Sequence, residues 1–173
     1  SLRMCDYTLE LFKKFKITPK SGLELCCGTG SALKFFANHG YKMAGLDQSN
    51  QMLAEGHKKI GRSVPLIQAP LPQFRIPDPA NSRRCRQFDF ACSYYDSLNY
   101  LLKPQDLAET FVNLRKHLNP GGWFIFDMNS PSALEGIWGN NVWGGAHGDL
   151  CWIFRHTFDR ANTLGTVRTT FFI

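Results

Sequence analysis

The stretch Leu23-Glu24-Leu25-Cys26-Cys27-Gly28-Thr29-Gly30 constrains the fold of this chain more than any other. It reads as a buried strand that ends in a glycine turn and feeds a helix. Gly28 and Gly30 remove side chains where the backbone must bend sharply or let a ligand come close. A helix opening just after the turn aims its free backbone N–H groups, and the positive end of its dipole, at whatever sits there. Glu24 lies inside the strand, where a carboxylate is costly unless paired or functional. Taken alone, the stretch is equally a tight turn with one odd acid, because a short glycine motif is weak evidence.

A second anchor follows at the spacing of a βαβ unit. Lys42-Met43-Ala44-Gly45-Leu46-Asp47 reads as another buried strand ending in an acid. An acid about 20 residues past the glycines lies at the carboxyl end of the second strand and can hold a ribose hydroxyl. The alternative is that Asp47 caps the next helix, a role Ser49 can also fill. Turn, crossover helix and Asp47 together indicate a nucleoside ligand. A dinucleotide fingerprint needs a third glycine three residues after the second, and that place is Leu33. No run matches G-x-x-x-x-G-K-[ST], so a phosphate-binding loop of that kind is unsupported.

On these residues the chain resembles the class I S-adenosylmethionine-dependent methyltransferases. Their first motif, D/E-x-G-x-G-x-G, aligns with Glu24, Cys26, Gly28 and Gly30, and the acid after their second strand aligns with Asp47. Cys26 stands where the family has its first glycine, and a thiol side chain lacks glycine's backbone freedom. The resemblance implies an α/β fold, a Rossmann-like, doubly wound and mostly parallel sheet with helices on both faces. It also implies S-adenosylmethionine as cofactor, leaving as S-adenosylhomocysteine. Asp47 would accept from the ribose, with Gln48 beside it, while Glu24 would arrange the turn and the amino-acid end of the cofactor. The resemblance runs from residue 7 to residue 173 and is strongest from 22 to 130.

The chain has 173 residues, enough for one domain with a real core. No apolar run is long enough to span a bilayer, and no secretory segment opens the chain. A net charge of +6 is mildly basic, without the clustered footprint of a dedicated nucleic-acid binder. The six cysteines show neither C-x-x-C nor a Cys/His ligand spacing. They read as reduced, mostly buried thiols of a cytoplasmic protein, with no metal site.

Along the chain, Tyr7, Leu11 and Phe15 recur at helical spacing and mark the apolar stripe of a leading helix, with Lys13, Lys14 and Lys16 on its wet face. In the resembled family such a helix often covers the cofactor, so Tyr7 either touches it or is an ordinary tyrosine. Ala32, Phe35, Phe36 and His39 suit a helix on the sheet, stopped by Gly40, with His39 a favourable dipole partner. Ser49 opens the next helix, with Leu53, Gly56 and Ile60 at its spacing and Gly61 at its end. Met52, in its first turn, either meets the adenine ring or is a plain core methionine. Val64 to Gln68 is a short third strand. The family usually has an acid near Pro70 for the adenine amino group. Proline has neither that acceptor nor a backbone N–H, so adenine would rest on backbone groups near Ala69 and Leu71 and on apolar packing. Residues 78–87 read as an exposed basic loop.

Phe88 to Ser93 is the fourth strand, and ligands of open α/β sheets bind beyond the carboxyl ends of strands at the switch point. Ser93 to Asn99 falls there. The run Asp96-Ser97-Leu98-Asn99-Tyr100 resembles a subgroup of small, mostly microbial methyltransferases. Pro104 sits in the first turn of a helix that Leu107, Ala108, Phe111, Leu114, Arg115 and Leu118 make strongly amphipathic. Asn119-Pro120-Gly121-Gly122 breaks it, and Trp123 to Asp127 reads as a central parallel strand. Residues 130–148 have no period and read as a lid or binding loop, with Trp138, Trp143 and His147 as acceptor-pocket candidates. Two strands, 150–158 and 166–173, form a hairpin that in the resembled subgroup is an insertion contributing to the acceptor site. The expected division is a cofactor-binding domain over 1–130 and a lid and β-insertion over 131–173. The chain stops in mid-strand, where family members carry two further sheet strands, so it reads as a fragment or as lacking its remainder.

Asp96 is either a partner for the sulfonium or ammonium, a base, or a helix cap. Tyr95, Asp96, His147 and His156 are the base candidates, and none is singled out. The [DN]-P-P-[YF] run of amino-directed base methylases is missing, since that place reads Ser93-Tyr94-Tyr95-Asp96. Cys92 follows Ala91 and reads as a buried strand residue, not a nucleophile. Both absences favour methyl transfer to an O or N atom of a small-molecule acceptor. The competing readings are a non-catalytic nucleoside-binding module and a nicotinamide oxidoreductase, the latter disfavoured by Leu33.

Overall fold

The computed structural model describes residues 2–173. The chain divides into two compact units, Ser1–Met128 and Asn129–Ile173. The first contains α1 (Arg3–Lys14), β1 (Ser21–Leu25), α2 (Ser31–Asn38), β2 (Lys42–Asp47), α3 (Asn50–Ile60), β3 (Leu66–Gln68), β4 (Phe88–Ser93), α4 (Pro104–Arg115) and β5 (Leu118–Phe126). The five strands form one parallel sheet in the order β3-β2-β1-β4-β5. This is the Rossmann-like, doubly wound arrangement, and its order reverses between β1 and β4.

Strand alternation sorts the core into two layers. Phe90 and Cys92 of β4 and Met43 of β2 pack with Phe12 of α1, with Ala32, Leu33 and Phe36 of α2, and with Leu53 of α3. Leu23, Leu25, Ala44, Leu46 and Ala91 face the other way, against Leu114 of α4 and Phe74 and Ile76 of the β3–β4 connection. That connection carries no helix. It is fixed instead by His117, wholly buried, whose Nε2 accepts the Ile76 backbone N–H at 3.1 Å. Burial lowers the His117 pKa and so favours the neutral ring that this bond requires.

Several expectations are corrected. The stripe Tyr7, Leu11 and Phe15 is not the buried face of α1; Cys5, Thr8 and Phe12 are. Thr8 is tolerated there because its hydroxyl pairs with the Tyr94 hydroxyl at 2.8 Å. On α2, His39 is exposed and bonds the Phe35 carbonyl at 2.8 Å, while Leu33 takes the inward place. The third strand is shorter than Val64 to Gln68. On α4, Thr110 and Leu114 are buried, whereas Ala108 and Phe111 are exposed. The fifth strand is an outer strand of the five, not a central one, so Trp123 and Phe126 keep 39% and 41% exposure. Asn119 to Gly122 form an irregularity inside β5, where Phe88 pairs with Leu118 and Phe90 already with Trp123. Asn119 Nδ2 donates to Asp89 Oδ1 there at 2.8 Å.

The second unit holds a short helix Pro131–Ala133, a π turn Leu134–Trp138, and strands β6 (Val142–His147), β7 (Leu150–Asp159) and β8 (Leu164–Phe172). They form an antiparallel sheet in the order β6-β7-β8. The expected hairpin is β7–β8, and β6 lies inside the stretch read as irregular. No helix among the described residues is long and apolar enough to cross a membrane.

Candidate cofactor site at the carboxyl ends of the strands

The glycine turn follows β1 as expected, and three of its residues are left-handed: Cys26 at φ 55°, Gly28 at φ 52° and Gly30 at φ 72°. Cys26 therefore adopts glycine's conformation without being glycine. Such a φ costs an ordinary residue about 1–2 kcal/mol, and glycine's extra chain entropy returns about 0.5–1 kcal/mol of that. Cys26→Gly is accordingly expected to raise stability by up to about 1 kcal/mol in urea titration, and a loss of stability would contradict the strain. A Cβ added to Gly28 would meet nothing within 4 Å, so the outer face of the turn is open to a ligand.

Asp47 closes this turn from the neighbouring strand. Its Oδ2 accepts the Gly28 backbone N–H at 2.9 Å and its Oδ1 accepts the Ser49 N–H at 2.8 Å. Ser49 itself caps α3 by accepting the Met52 N–H at 3.2 Å. A carboxylate has lone pairs beyond those two bonds, so Asp47 can still accept from a diol. Glu24 faces the α2 side of the sheet, between Gly45 on β2 and Cys92 on β4. It accepts the Leu33 N–H in the first turn of α2, a helix whose cap residue Gly30 provides no side chain. Its Oε2 is buried and has no partner among the described residues.

Burial, with a smaller contribution from Asp47, pushes the Glu24 carboxyl up to about 8 against the donation from Leu33. A raised folded pKa means that its stability contribution is full below the unfolded value near 4.5 and is lost as pH rises through about 8. Glu24→Gln is therefore expected to gain melting temperature relative to the parent chain between those limits. A pH-independent difference would refute the assignment.

Two further unpartnered oxygens lie at this edge. Ser93 Oγ, at the end of β4, and Asp127 Oδ1, just past β5, are buried without partners among the described residues. Asp127 Oδ2 accepts the Asp96 N–H at 2.8 Å. Tyr95 and Asp96 are both left-handed, at φ 59° and φ 51°. Two consecutive non-glycine residues in this region mark stored strain, of the kind that clusters at functional sites.

The site residues read from the sequence fall as follows. Cys26, Gly28, Gly30 and Asp47 meet in the turn, Glu24 lies beneath it, and Ser93 and Asp96 stand at the end of β4. Gln48 is exposed, and its carbonyl accepts from Gln68 Nε2 at 3.3 Å. Met52 is 48% exposed, not a core methionine. Ala69 and Leu71 are half-buried and Pro70 exposed, with the Ala69 N–H bonded to the Asp47 carbonyl at 3.0 Å. Tyr7 is 54% exposed. Asp127 was legible only as the acid ending a strand, and the structure joins it to the end of β4 through the Asp96 N–H.

Among the base candidates, Tyr95 is disfavoured: partial burial, then Cys5, Glu24 and Asp127, raise its pKa and keep the hydroxyl protonated. In the second unit, Trp138 lies 6.4 Å from Trp143 and 5.0 Å from His156, ring to ring. His156 is buried with Nε2 unpartnered, whereas His147 is exposed at the β6–β7 turn. Burial holds the thiols near the turn in the protonated form. Burial, then Asp47 and Glu24, push Cys26 up to about 12, and burial with Glu24 raises Cys27 and Cys92 as well.

These residues fit the cofactor that the first motif implies. The open face of Gly28 admits a close ligand, and Asp47 keeps lone pairs with which to take the ribose.

A methyltransferase domain family matches residues 1–163, and the chain belongs to that family. It is 29% identical over 139 residues to the methyltransferase-type protein YqeM of Bacillus subtilis (strain 168), covering 79% of this chain and 54% of that one. It is 30% identical over 112 residues to the dTDP-3-amino-3,4,6-trideoxy-alpha-D-glucopyranose N,N-dimethyltransferase of Streptomyces venezuelae, covering 64% of this chain and 44% of that one. The chain thus spans about half the length of the curated relatives it matches. Among solved structures, an S-adenosylmethionine-dependent methyltransferase from Clostridium acetobutylicum ATCC 824 superposes with TM-score 0.83 at 25% identity, covering 100% of this chain and 68% of that one. Streptomyces venezuelae DesVI shares the fold, with TM-score 0.77 at 18% identity, covering 98% of this chain and 75% of that one.

Proposed function

We propose that this chain is the cofactor-binding part of an S-adenosylmethionine-dependent methyltransferase that methylates an N or O atom of a small molecule. The observation that carries this is the Asp47–Gly28 bond, which joins the second-strand acid to a glycine turn with an open outer face. Gly28, Gly30 and Asp47 hold the nucleoside, and Met52, Ala69 and Leu71 offer apolar contact for its base. Pro70 gives no donor, so the base relies on the backbone beside it. Glu24, Ser93 and Asp96 lie toward the amino-acid end. When bound, the cofactor supplies a methyl group already activated on a sulfonium. The protein's part is to align an acceptor with it and exclude water.

The amino-sugar acceptor named for the Streptomyces venezuelae relative supports nitrogen over oxygen. The six free thiols suit a reducing compartment such as the cytoplasm. Calorimetry tests the cofactor: S-adenosylmethionine should release heat on binding and NAD should not, and heat with NAD alone, or equal heats, overturns the reading. Transfer of a labelled methyl group from the cofactor to a metabolite pool tests catalysis. No labelled product from broad pools would leave a nucleoside-binding module instead.

A further inference from the structure

We propose that Asp127 is a positioning residue of this site, holding the Tyr95–Asp96 turn in its left-handed form and so keeping the end of β4 shaped for the cofactor. The inference rests on the methyltransferase reading above. Asp127 is joined to this segment at two points. Its carboxylate Oδ2 accepts the Asp96 N–H at 2.8 Å, and its own N–H donates to the Ser93 carbonyl at 3.4 Å. A single residue leaving β5 therefore brackets the whole run from Ser93 to Asp96.

The run needs a hold, because Tyr95 and Asp96 both sit at φ values that L-residues avoid. Its flanks are already fixed. Tyr94 is anchored to Thr8, Ser97 Oγ donates to the Tyr94 carbonyl at 2.7 Å, and Leu98 is wholly buried. Strain is thus confined to the two residues that Asp127 spans.

The conformation also fixes the place of the Tyr95 ring. Tyr95, 54% exposed, lines a cavity of about 580 Å³ with Ser31, Lys34, Phe35, His39 and Lys59, along the length of α2. Relaxation to a right-handed form would swing Tyr95 off that wall and turn the Asp96 N–H away from Asp127.

Asp127→Ala and Asp127→Asn in the full chain test the idea, with hydrogen–deuterium exchange over residues 94–100 and calorimetry with S-adenosylhomocysteine. The alanine variant should exchange faster across that segment and bind about tenfold more weakly or worse, while asparagine, which keeps an acceptor oxygen, should stay within about threefold of the parent. Unchanged exchange and affinity in the alanine variant overturn the proposal, as does an asparagine variant no better than alanine. If Asp127→Ala does not fold, adding Asp96→Gly, which accepts the left-handed φ freely, should restore folding, and failure to do so also overturns it. A parent chain that binds no S-adenosylhomocysteine sinks the methyltransferase reading; a parent that binds it no better than Asp127→Ala sinks only this one.

Discussion

Phe90→Ala is expected to destabilise the chain by about 3–5 kcal/mol, the cost of emptying a fully buried aromatic site. Phe90 is wholly buried on β4. Its ring lies 5.0 Å from Phe12 of α1, 5.5 Å from Phe36 of α2 and 5.8 Å from Tyr41, each tilted edge to face. Such pairs add to plain area burial, so one truncation loosens two helices from the sheet at once. The neighbouring strand is cut to fit: a Cβ on Gly22 would stand 2.4 Å from the Phe90 ring. Gly22 has no side chain to fill the space left by alanine, so closing it would require Phe12, Phe36, Tyr41 or Met43 to leave its packed position. Against a typical total of about 5–15 kcal/mol, the loss is large enough to lower the urea midpoint sharply. A drop below about 1.5 kcal/mol would show that this cluster does not anchor α1 and α2.

Asp47→Ala is expected to cost about 1.5–3 kcal/mol of cofactor affinity, a rise in Kd of about 10- to 150-fold. Two effects add. The carboxylate proposed to accept from the ribose is lost, and the Gly28 and Ser49 N–H groups lose their acceptor. The first is a contact term, and the second lets the turn drift before any ligand arrives. Asp47→Asn separates them, because the amide keeps one acceptor oxygen but no charge, and its loss should fall between parent and alanine. Calorimetry with S-adenosylhomocysteine reads both. An alanine variant with the parent's Kd would place the ribose elsewhere.

The central βαβ unit was legible because its signals are local. Apolar runs, two glycines and an acid at fixed spacing need no knowledge of the rest of the chain. What was misread depends on distant partners. Thr8 on the buried face of α1 is polar and breaks no rule once Tyr94, far along the chain, supplies its bond. The stripe through Tyr7 and Phe15 is the better pattern by hydrophobicity, but neither residue is buried. The apolar sequence of β5 says that it packs in a sheet, not how many neighbours it has, so its outer position could not be read. β6 did leave a signal: Gly148-Asp149 is a two-residue hairpin connection, and His147 pairs with Leu150 across it. Asp127 stayed hidden because its role lies in a bond to a backbone thirty-one residues away.

Leu33 and Gly45 form an exchanged pair. Where dinucleotide enzymes clear space on the helix, this chain fills it with a wholly buried leucine and clears the facing strand instead: a Cβ on Gly45 would lie 2.5 Å from Leu33 Cδ1. Neither position can then mutate alone toward the other arrangement. A glycine at 33 leaves a void, and a side chain at 45 collides with what remains. A Cβ at 45 would also lie 2.8 Å from the Cys27 sulfur, so helix and strand can be refitted here only by changing positions 27, 33 and 45 as a set.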